Sequence, residues 1–451
     1  MTTPLLLLLA PALGGCALGD LLSTRIVPAE VAGDADFELY ATAPYAWAGS
    51  SLAAADLYDV GHVAIAAVAP GQRSRGAEGI VAVCGGALFS RTRRRPVDLE
   101  AEALTVIASG RDQALTGVYA GDFDGDGVAD LFVADPSWPS TEVGQLYGFP
   151  GPLPIGRVDI EDAAWRWRGT RGDLAGFVAI PLGDWDGDGT DDLLVSLDNR
   201  RELVFAMGPL DGDGGLRAFP DRVRVDFGDG LAGAVGDLDG DGRLDLALGV
   251  PQLDRVYVFL HHPSGPVDAD DADVVLIATA GSRFGAGLAV DDLDGDGVDD
   301  LAVGAPTSYG DRGSVQVFRG PLVAAVAPDL TVVGTDGGRL GDALLAPGDH
   351  DADGVRDLAA FRLDLVRTIV GAEGGVVADG GAWTLLSVGD LQGTRELEDA
   401  PALVHWAALD GSLAPDGAAV AADLNGDGRL DVVAGGPATM GAGAVFGWFA
   451  R

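Results

Sequence analysis

The stretch DDLDGDGVDDLAVGAP, residues 291–306, concentrates aspartates in its first ten positions and then becomes an apolar run. Coulomb repulsion among carboxylates a few ångströms apart opposes such a loop unless a cation lies among them. The apolar run that follows has the length and composition of a buried strand. The stretch therefore predicts a cation-binding loop that leads into a β-strand.

The same pattern recurs along the chain. Its copies are GDFDGDGVADLFVADP (121–136), GDWDGDGTDDLLVS (183–196), GDLDGDGRLDLALGVP (236–251), GDHDADGVRDLAAF (348–361) and ADLNGDGRLDVVAGGP (422–437). A degenerate copy, ADLYDVGHVAIAAVAP (55–70), keeps the flanking pattern but has lost the acids. The copies follow one another at fairly regular intervals, with their first aspartates at Asp56, Asp122, Asp184, Asp237, Asp292, Asp349 and Asp423. This spacing suits one four-stranded propeller blade with its loops.

Three further runs in each repeat are typical of short strands. Before the first stretch, FGAGLAV (284–290) is small and apolar, as an inner strand crowded around a propeller axis requires. After it, GSVQVFRG (313–320) alternates apolar and polar residues, and DLTVVG (329–334) suits an outer strand. The sequence predicts an all-β, seven-bladed β-propeller of four-stranded blades, with the acidic loops between strands 1 and 2.

These repeats resemble the FG-GAP repeats of the integrin alpha-chain propeller, which are named for Phe-Gly and Gly-Ala-Pro. The fifth repeat carries both signatures, Phe284-Gly285 and Gly304-Ala305-Pro306, and other repeats keep parts of them, such as Phe227-Gly228 and Gly436-Pro437. The resemblance implies a propeller that binds calcium. It also implies that an N-terminal segment, here DFELYATAP (36–44), supplies the outer strand that closes the seventh blade.

The longest interval between loops, from Asp349 to Asp423, contains GDLQGTRELEDAPALVHW (389–406). Asp390, Gln392, Thr394 and Glu398 have the spacing of an acidic loop there. One interpretation is a decayed eighth blade. Dividing the interval at this point leaves pieces that are short for two blades, so an insertion in a seven-bladed ring is favoured.

In the loop at residues 292–300, carboxylates occupy positions 1, 3, 5 and 9, and position 7 offers a backbone carbonyl. Glycines at positions 4 and 6 allow turns that side chains would block. Calcium takes about six to eight oxygens, which this set supplies with one or two waters or bidentate contacts. An EF-hand requires a Glu at position 12, where this loop has Val303, and transition metals prefer His or Cys.

We therefore expect about six bound calcium ions. The predicted ligands, with the carbonyl donor fourth in each set, are Asp122, Asp124, Asp126, Val128 and Asp130; Asp184, Asp186, Asp188, Thr190 and Asp192; Asp237, Asp239, Asp241, Arg243 and Asp245; Asp292, Asp294, Asp296, Val298 and Asp300; Asp349, Asp351, Asp353, Val355 and Asp357; and Asp423, Asn425, Asp427, Arg429 and Asp431. The alternative is an acidic turn without metal. That alternative is strongest for residues 349–357, where Ala352 replaces the first glycine.

The formal net charge of the chain is −40. Such acidity argues against nucleic acid or an anionic membrane surface as a partner. Of the negative charges, 23 lie in the six loops, and six calcium ions would change the net charge from −40 to −28. An acidic surface adapted to high salt is the competing interpretation, although the aspartates are clustered rather than spread.

The N-terminal segment has an apolar core, residues 5–13, that is too short to span a bilayer. Leu13-Gly14-Gly15-Cys16 resembles the box of a bacterial lipoprotein signal. We expect residues 1–16 to be that signal, with lipid on Cys16, residues 17–35 to be a linker and residues 36–451 to form the propeller. The protein would then be an outer-membrane lipoprotein or lie in the periplasm or at the cell surface. Because the segment has no basic residue before its apolar core, plain secretion and a cytoplasmic location stay open.

Sequence gives little support for catalysis, and we assign no catalytic residue. No nucleophile elbow, phosphate-binding loop or HExxH motif appears. His350 falls within an acidic loop, where we expect an outward-facing, solvated side chain. Cys84, in an apolar run, is expected to be a small core residue, and Arg171-Gly172-Asp173 is attributed to chance because it precedes an inner strand.

The loops between strands 2 and 3 are expected on the face opposite the acidic loops. Their aromatic and Arg side chains suggest a ligand surface at Trp138, Arg255, Tyr309 and Arg312. The sequence thus favours a calcium-stabilised, non-catalytic binding or scaffold lipoprotein, with a protein or glycan of the cell surface as its partner. The alternative is a secreted carbohydrate-active enzyme or lectin built on the same propeller.

Overall fold

The computed structural model describes most of the chain after residue 34, and of residues 363–382 and 402–407 it describes the backbone alone. The described residues are 35–43, 46–71, 79–85, 97–110, 115–136, 143–197, 201–228, 230–335, 337–352, 354–371, 374–389, 391–397, 402–407, 419–436 and 443–450. They form seven β-sheets. The signal-like segment and Cys16 lie outside them.

Strands make up nearly all of the regular structure. In chain order they are β1 (Phe37–Tyr40), β2 (Leu52–Ala55), β3 (Ala64–Ala69), β4 (Ile80–Cys84), β5 (Val97–Asp98), β6 (Thr105–Ala108), β7 (Gly117–Gly121), β8 (Asp130–Asp135), β9 (Gln145–Phe149), β10 (Gly156–Asp159), β11 (Trp165–Arg168), β12 (Ala179–Gly183), β13 (Asp192–Leu197), β14 (Glu202–Ala206), β15 (Asp213–Gly215), β16 (Arg222–Arg224), β17 (Ala232–Gly236), β18 (Asp245–Val250), β19 (Arg255–Phe259), β20 (Pro266–Asp268), β21 (Val274–Ile277), β22 (Leu288–Asp291), β23 (Asp300–Ala305), β24 (Ser314–Phe318), β25 (Leu330–Val333), β26 (Leu344–Gly348), β27 (Asp357–Gly371), β28 (Gly374–Ser387), β29 (Gly393–Glu396), β30 (Ala402–Ala407), β31 (Ala419–Ala422), β32 (Asp431–Gly436) and β33 (Ala444–Trp448).

Helical structure is limited to single turns in the described residues. They are an α-helical turn at Leu99–Glu102 and 3₁₀ turns at Ile160–Asp162, Leu216–Ala218 and Ala269–Asp271. Ser308–Asp311 form a tight turn in which Tyr309, Gly310 and Asp311 have positive φ angles.

Each sheet contains four antiparallel strands that form one blade. Blades 1 to 6 consist of β2-β3-β4-β6, β7-β8-β9-β11, β12-β13-β14-β16, β17-β18-β19-β21, β22-β23-β24-β25 and β26-β27-β28-β30, and blade 7 consists of β31-β32-β33-β1. The first strand of every blade contacts the first strand of the next, and β31 contacts β2. The first strands therefore form a closed inner ring, and the seven-bladed propeller predicted from the sequence is confirmed.

The two ends of the described chain close the ring within blade 7. Strand β1 pairs antiparallel with β33, with Phe37 opposite Gly447 and Tyr40 opposite Ala444. The Asp36 carboxylate also accepts the Phe449 backbone N–H at 2.9 Å. The N-terminal segment thus supplies the outer strand of the last blade, as the resemblance implied.

The long interval after the acidic loop of blade 6 adds strands to blades 5 and 6. Strands β27 and β28 form a hairpin of 15- and 14-residue strands, and β29 pairs with β25 of blade 5. Within the described residues the interval thus adds to existing blades and forms no eighth sheet. Asp390 and Glu398 lie outside the described residues.

Five blades carry an additional, fifth strand on their outer edge. Each fifth strand comes from the connection between the third and fourth strands of the following blade and runs parallel to the outer strand. The pairs are β10 on β6, β15 on β11, β20 on β16, β29 on β25 and β5 on β1. Successive blades are therefore interlocked at the rim as well as at the inner ring.

The apolar core lies between blades. One buried cluster combines Val81 of blade 1 with Tyr147 of blade 2, and another combines Phe361 of blade 6 with Phe446 of blade 7. A single blade consequently cannot bury its apolar faces alone. Cys84 is buried in the cluster shared by blades 7 and 1, and burial raises the pKa of its thiol to about 12, which confirms its assignment as a core residue.

The glycines of the two repeat signatures bring neighbouring blades into backbone contact. A β-carbon at Gly304 would overlap the carbonyl oxygen of Gly341, the glycine before the next inner strand, and one at Gly249 would overlap that of Gly285. Beside this contact the Phe284 ring is fully buried. The signature thus combines an aromatic anchor with a glycine pair at the seam between blades.

Replacing Gly304 with Ala should destabilise the protein by about 2 kcal/mol, because the added methyl group is forced against backbone that cannot turn aside. Urea unfolding followed by Trp fluorescence measures this. Gly215→Ala is the matched control, since a β-carbon there has no neighbour closer than 4.0 Å. Equal stability of the two variants would contradict the packing role of Gly304.

Candidate cation-binding loops

The acidic loops connect the first and second strands of blades 2 to 7, as predicted. In blade 5 the loop leaves β22 after Asp291 and enters β23 at Asp300. Gly295 and Gly297 have φ angles of +78° and +94°, in the left-handed region that L-residues rarely adopt. These turns coil the loop tightly, so its alternate side chains share a common centre.

Carboxylate oxygens converge in five of the loops. In each group one oxygen from each of three residues lies within 4.8 Å of the others, about twice a typical calcium–oxygen distance. One ion therefore fits between them. The groups are Asp122, Asp124 and Asp130; Asp184, Asp186 and Asp188; Asp237, Asp239 and Asp245; Asp292, Asp294 and Asp296; and Asp349, Asp351 and Asp357.

Backbone N–H groups orient these side chains. The Asp292 carboxylate accepts the N–H groups of Gly295 at 2.8 Å and Gly297 at 3.0 Å, and Asp294 accepts the N–H of Asp296 at 3.2 Å. The position-7 residues donate their N–H to the carboxylate at position 5 in the loops of Val128, Thr190, Arg243, Val298 and Arg429. The loop backbone thus holds the acids in place before any ion binds.

The aspartate at position 9 ties each loop to its blade. The Asp300 carboxylate accepts the N–H of Leu293 at 3.1 Å and that of Gly320, after the third strand, at 2.9 Å. Burial raises the pKa of Asp300 to about 6, and the Asp294 carboxylate adds to the rise. Burial likewise raises the pKa to about 7 in Asp130 and Asp245 and to about 6 in Asp192, Asp357 and Asp431.

Two of the loop aspartates, one at position 9 and one at position 1, each have a carboxylate oxygen that suits a metal ion. Oδ1 of Asp245 and Oδ1 of Asp349 are buried and accept no hydrogen bond. A buried acceptor without a partner is costly, and a bound cation would supply the missing interaction. The residues present therefore fit a hard divalent cation with oxygen ligands.

The remaining predicted ligands differ in what the structure describes. Asp353 lies outside the described residues. In the last loop, Asp423 accepts the N–H groups of Gly426 at 2.7 Å and Gly428 at 2.9 Å. This loop has the same backbone arrangement as the others, with Asn425 in place of one carboxylate.

An arginine side chain lies beside the acidic loop of blade 5. Nε of Arg319 lies 3.4 Å from Oδ2 of Asp294, and both side chains are mostly buried. The same guanidinium donates to the carbonyl oxygens of Gly389 and Leu391. Arg319 therefore offsets part of the repulsion in this loop and links blades 5 and 6.

Sequence reasoning missed the structural role of position 2, and the prediction for His350 was wrong. His350 is only 3% exposed, and its Nδ1 lies 2.9 Å from the carbonyl oxygen of Leu430 in blade 7. Trp185, at the same position in blade 3, donates its indole N–H to the carbonyl of Leu244 in blade 4. Position 2 faces the next blade, so its side chain is buried.

Position 8 joins neighbouring loops, which sequence reasoning also missed. The Asp191 carboxylate accepts the backbone N–H of Asp122 at 2.8 Å, and Asp299 accepts that of Asp237 at 2.9 Å. In blade 6 the equivalent residue, Arg356, forms an ion pair of 2.6 Å with Asp291. The doubled aspartates at 191–192 and 299–300 were the available signal.

The predicted ligand surface on the other face is brought together only in part. Tyr309 is 54% exposed and borders a groove. Arg255 pairs with Asp270 at 2.6 Å, and Arg312 forms an ion pair with Glu396. Trp138 lies outside the described residues.

The Arg171-Gly172-Asp173 tripeptide has a structural explanation. Asp173 is 2% exposed, and its carboxylate accepts hydrogen bonds from Arg217 Nε at 3.0 Å and from Thr170 Oγ1 at 2.9 Å. Burial opposes ionisation, but these hydrogen bonds lower the pKa of Asp173 below its ordinary value. The aspartate faces the protein rather than an external receptor.

Known proteins with similar sequences agree with this architecture. The FG-GAP repeat family matches residues 230–259 and 284–318. Integrin alpha-IIb of Mus musculus is 31% identical over 266 residues, which is 55% of this chain and 22% of the relative. The human integrin alpha-IIb is 46% identical over 90 residues, 17% of this chain and 9% of the relative.

A second kind of relative is phosphatidylinositol-glycan-specific phospholipase D. The protein of Rattus norvegicus is 39% identical over 138 residues, which is 26% of this chain and 16% of the relative. The matches thus cover less than a quarter of the length of each of these relatives. Among the described residues no helix is long and apolar enough to cross a membrane.

A closed ring of seven four-stranded sheets, with acidic loops after the inner strands, defines a repeat-built β-propeller. The chain contains FG-GAP repeats at residues 230–259 and 284–318, and it resembles the integrin alpha-chain propeller.

Asp173→Asn should lower stability at pH 7 by about 1–3 kcal/mol, because Arg217 loses one of its two buried carboxylate partners, Asp173 and Glu202. The folded pKa of Asp173 is lowered, so its contribution is present above the unfolded value of about 3.9 and is lost as the pH falls through the folded value. The difference between wild type and variant should shrink below pH 4 in urea unfolding. Asp226→Asn, which removes a largely exposed ion pair with Arg201, is the control; a pH-independent difference for Asp173→Asn would contradict the assignment.

Proposed function

We propose that the protein is an exported, calcium-stabilised propeller that serves as a non-catalytic binding or scaffold module. The observation that carries this proposal is the convergence of three carboxylate oxygens within 4.8 Å in five acidic loops. When bound, calcium would supply charge compensation and cross-linking rather than chemistry. The chain's own residues shape and connect the loops. The carboxylate at position 1 accepts backbone N–H groups of its own loop, the one at position 9 connects the loop to its blade, and the residue at position 8 connects it to the neighbouring loop.

The choice of calcium rests on the donor set. All donors are oxygens of Asp, Asn or backbone carbonyl, which favours a hard cation. Loops that differ in the position of the third carboxylate suit the flexible coordination of calcium better than the strict octahedron of magnesium. The repeated loops support about six ions.

Export and attachment have separate support. The similarity to integrin alpha chains favours an exported protein. The Leu13-Gly14-Gly15-Cys16 box supports a lipid anchor on Cys16 in an outer membrane. The partner would then be a protein or glycan at the cell surface.

Native mass spectrometry of the purified protein should show about six calcium ions, and a chelator should lower the melting temperature strongly. Each site contributes about 2.7 kcal/mol when calcium exceeds its dissociation constant 100-fold. Asp186→Ala should remove one ion from the count, whereas Asp226→Asn, an exposed Asp outside the loops, should remove none. A protein without bound calcium, whose melting is insensitive to chelation, would refute the proposal and favour the salt-adapted acidic surface.

Lipid attachment is tested by expression in a Gram-negative host with labelled palmitate. Wild type and Cys84→Ala should incorporate the label and fractionate with the outer membrane, and Cys16→Ala should do neither. Label on the Cys16→Ala protein, or none on the wild type, would contradict the lipoprotein assignment.

A further inference from the structure

Blade 4 has an outer edge that the rest of the described chain leaves uncovered. Its outer strand, β21, pairs with β19 only, whereas five other outer strands carry a parallel fifth strand from the following blade. An uncovered edge presents unpaired backbone N–H and C=O groups to any extended chain that approaches it.

The chain connecting the third and fourth strands of blade 5 is too short to cover this edge. It runs only from Arg319 to Asp329, which is three or four residues shorter than the corresponding connections in blades 2, 3, 4 and 6. Those longer connections turn back along the preceding blade. The difference in length matches the length of the missing strand.

The buried anchor that follows each fifth strand is missing as well. In the other blades the fifth strand leads directly into an aliphatic residue that is at most 4% exposed; these residues are Leu99, Ile160, Leu216, Ala269 and Leu397. In blade 5 the corresponding residues 323–327 are exposed, with Val323 at 64% and Val326 at 51%. The connection in blade 5 therefore places no buried aliphatic residue at the anchor position.

A groove of about 1040 Å³ lies where the missing strand and anchor would be. Leu276, Ile277, Phe284, Tyr309 and Val326 contribute to its walls, and none of its lining residues is charged. Leu276 in blade 4 corresponds to Ile107 in blade 1, because each lies opposite the second residue of the third strand of its own blade. Ile107 pairs with the fifth strand β10.

Three hydrophobic side chains at the groove are open to solvent. Ile277 is 66% exposed, and Tyr309 and Val326 are more than half exposed. Polar residues such as Thr307 and Gln316 also line the groove. Exposed hydrophobic side chains around an uncharged groove, on a chain with a net charge of −40, are typical of an interaction surface.

We propose that this groove binds an extended segment of a partner protein, which adds to blade 4 as a parallel fifth strand. The five fifth strands of the chain itself define the chemistry of that segment. Opposite the position of Ile277 they place a small or acidic residue, as Asp159, Asp268 and Glu396 show, and an aliphatic residue follows. The partner segment therefore carries an acidic or small residue followed by Leu or Ile.

This site extends the proposed binding role and lies apart from the acidic loops. The probe is a fluorescent peptide with the sequence of residues 155–163, IGRVDIEDA, which contains strand β10 and its anchor. The fluorescence anisotropy of the peptide is measured with the full-length protein saturated with calcium. A loss of peptide binding then contradicts the groove proposal and leaves the proposed number of calcium ions untouched. We expect a dissociation constant of roughly 100 µM or tighter.

Three substitutions locate the binding site. Replacing the anchor of the peptide, Ile160→Asp, should weaken binding roughly tenfold. Ile277→Asp and Val326→Asp in the protein should do the same, and because both positions are exposed the variants should fold. Val323→Asp adds the same charge at an exposed residue outside the groove and should change binding less than about twofold.

Three results would overturn the proposal. The first is a peptide that does not bind, and the second is binding that Ile277→Asp and Val326→Asp leave unchanged. The third is a protein that dimerises through this edge in sedimentation experiments and excludes the peptide, because a second copy would then be the occupant.

Discussion

The antiparallel pairing of β1 with β33 is the constraint on which the rest of the molecule depends. Four residues near the N-terminus of the described chain complete a sheet whose other three strands lie at its C-terminus. Because each apolar cluster is shared between two blades, a ring that does not close would expose the inner faces of blades 7 and 1. The fold is therefore cooperative around the whole circle, unlike an open repeat array whose ends are capped separately.

The acidic loops impose a second constraint, because they gather charge on a ring that is already strongly negative. The structure manages this charge locally: backbone N–H groups hold the carboxylates, and Arg319 and Arg356 form ion pairs with Asp294 and Asp291 of blade 5. Position-8 residues then connect one loop to the next. Each of these two hydrogen bonds joins two neighbouring acidic loops directly.

Much of the architecture was predictable because it repeats. The spacing of Asp292, Asp294 and Asp296 and its copies gave the blade period and the position of the loops. The alternation in residues 313–320 identified the third strand. These features are local, so a pattern within one repeat was sufficient to predict them.

Features that depend on contact between repeats were not predictable in the same way. His350 was expected in solvent because its own loop is polar, but the next blade covers it. In the sequence, the uncovered edge of β21 is visible only as a connection between strands that is shorter than its counterparts. This shorter length can be interpreted only once the parallel fifth strands of the other blades are known. The predicted ligand surface depends on such contacts too: Arg255 and Arg312 form ion pairs within the protein, which a list of exposed-looking residues does not show.

The closure of the ring within blade 7 also determines how the molecule is presented. Asp36 and Phe449 are joined by a hydrogen bond, so both ends of the described chain leave from the same point on the circumference. A tether that continues from residue 35 would therefore attach the propeller at the outer edge of blade 7. Blade 4 lies three blades away in one direction and four in the other, so its outer strand is on the side of the ring opposite the point of attachment.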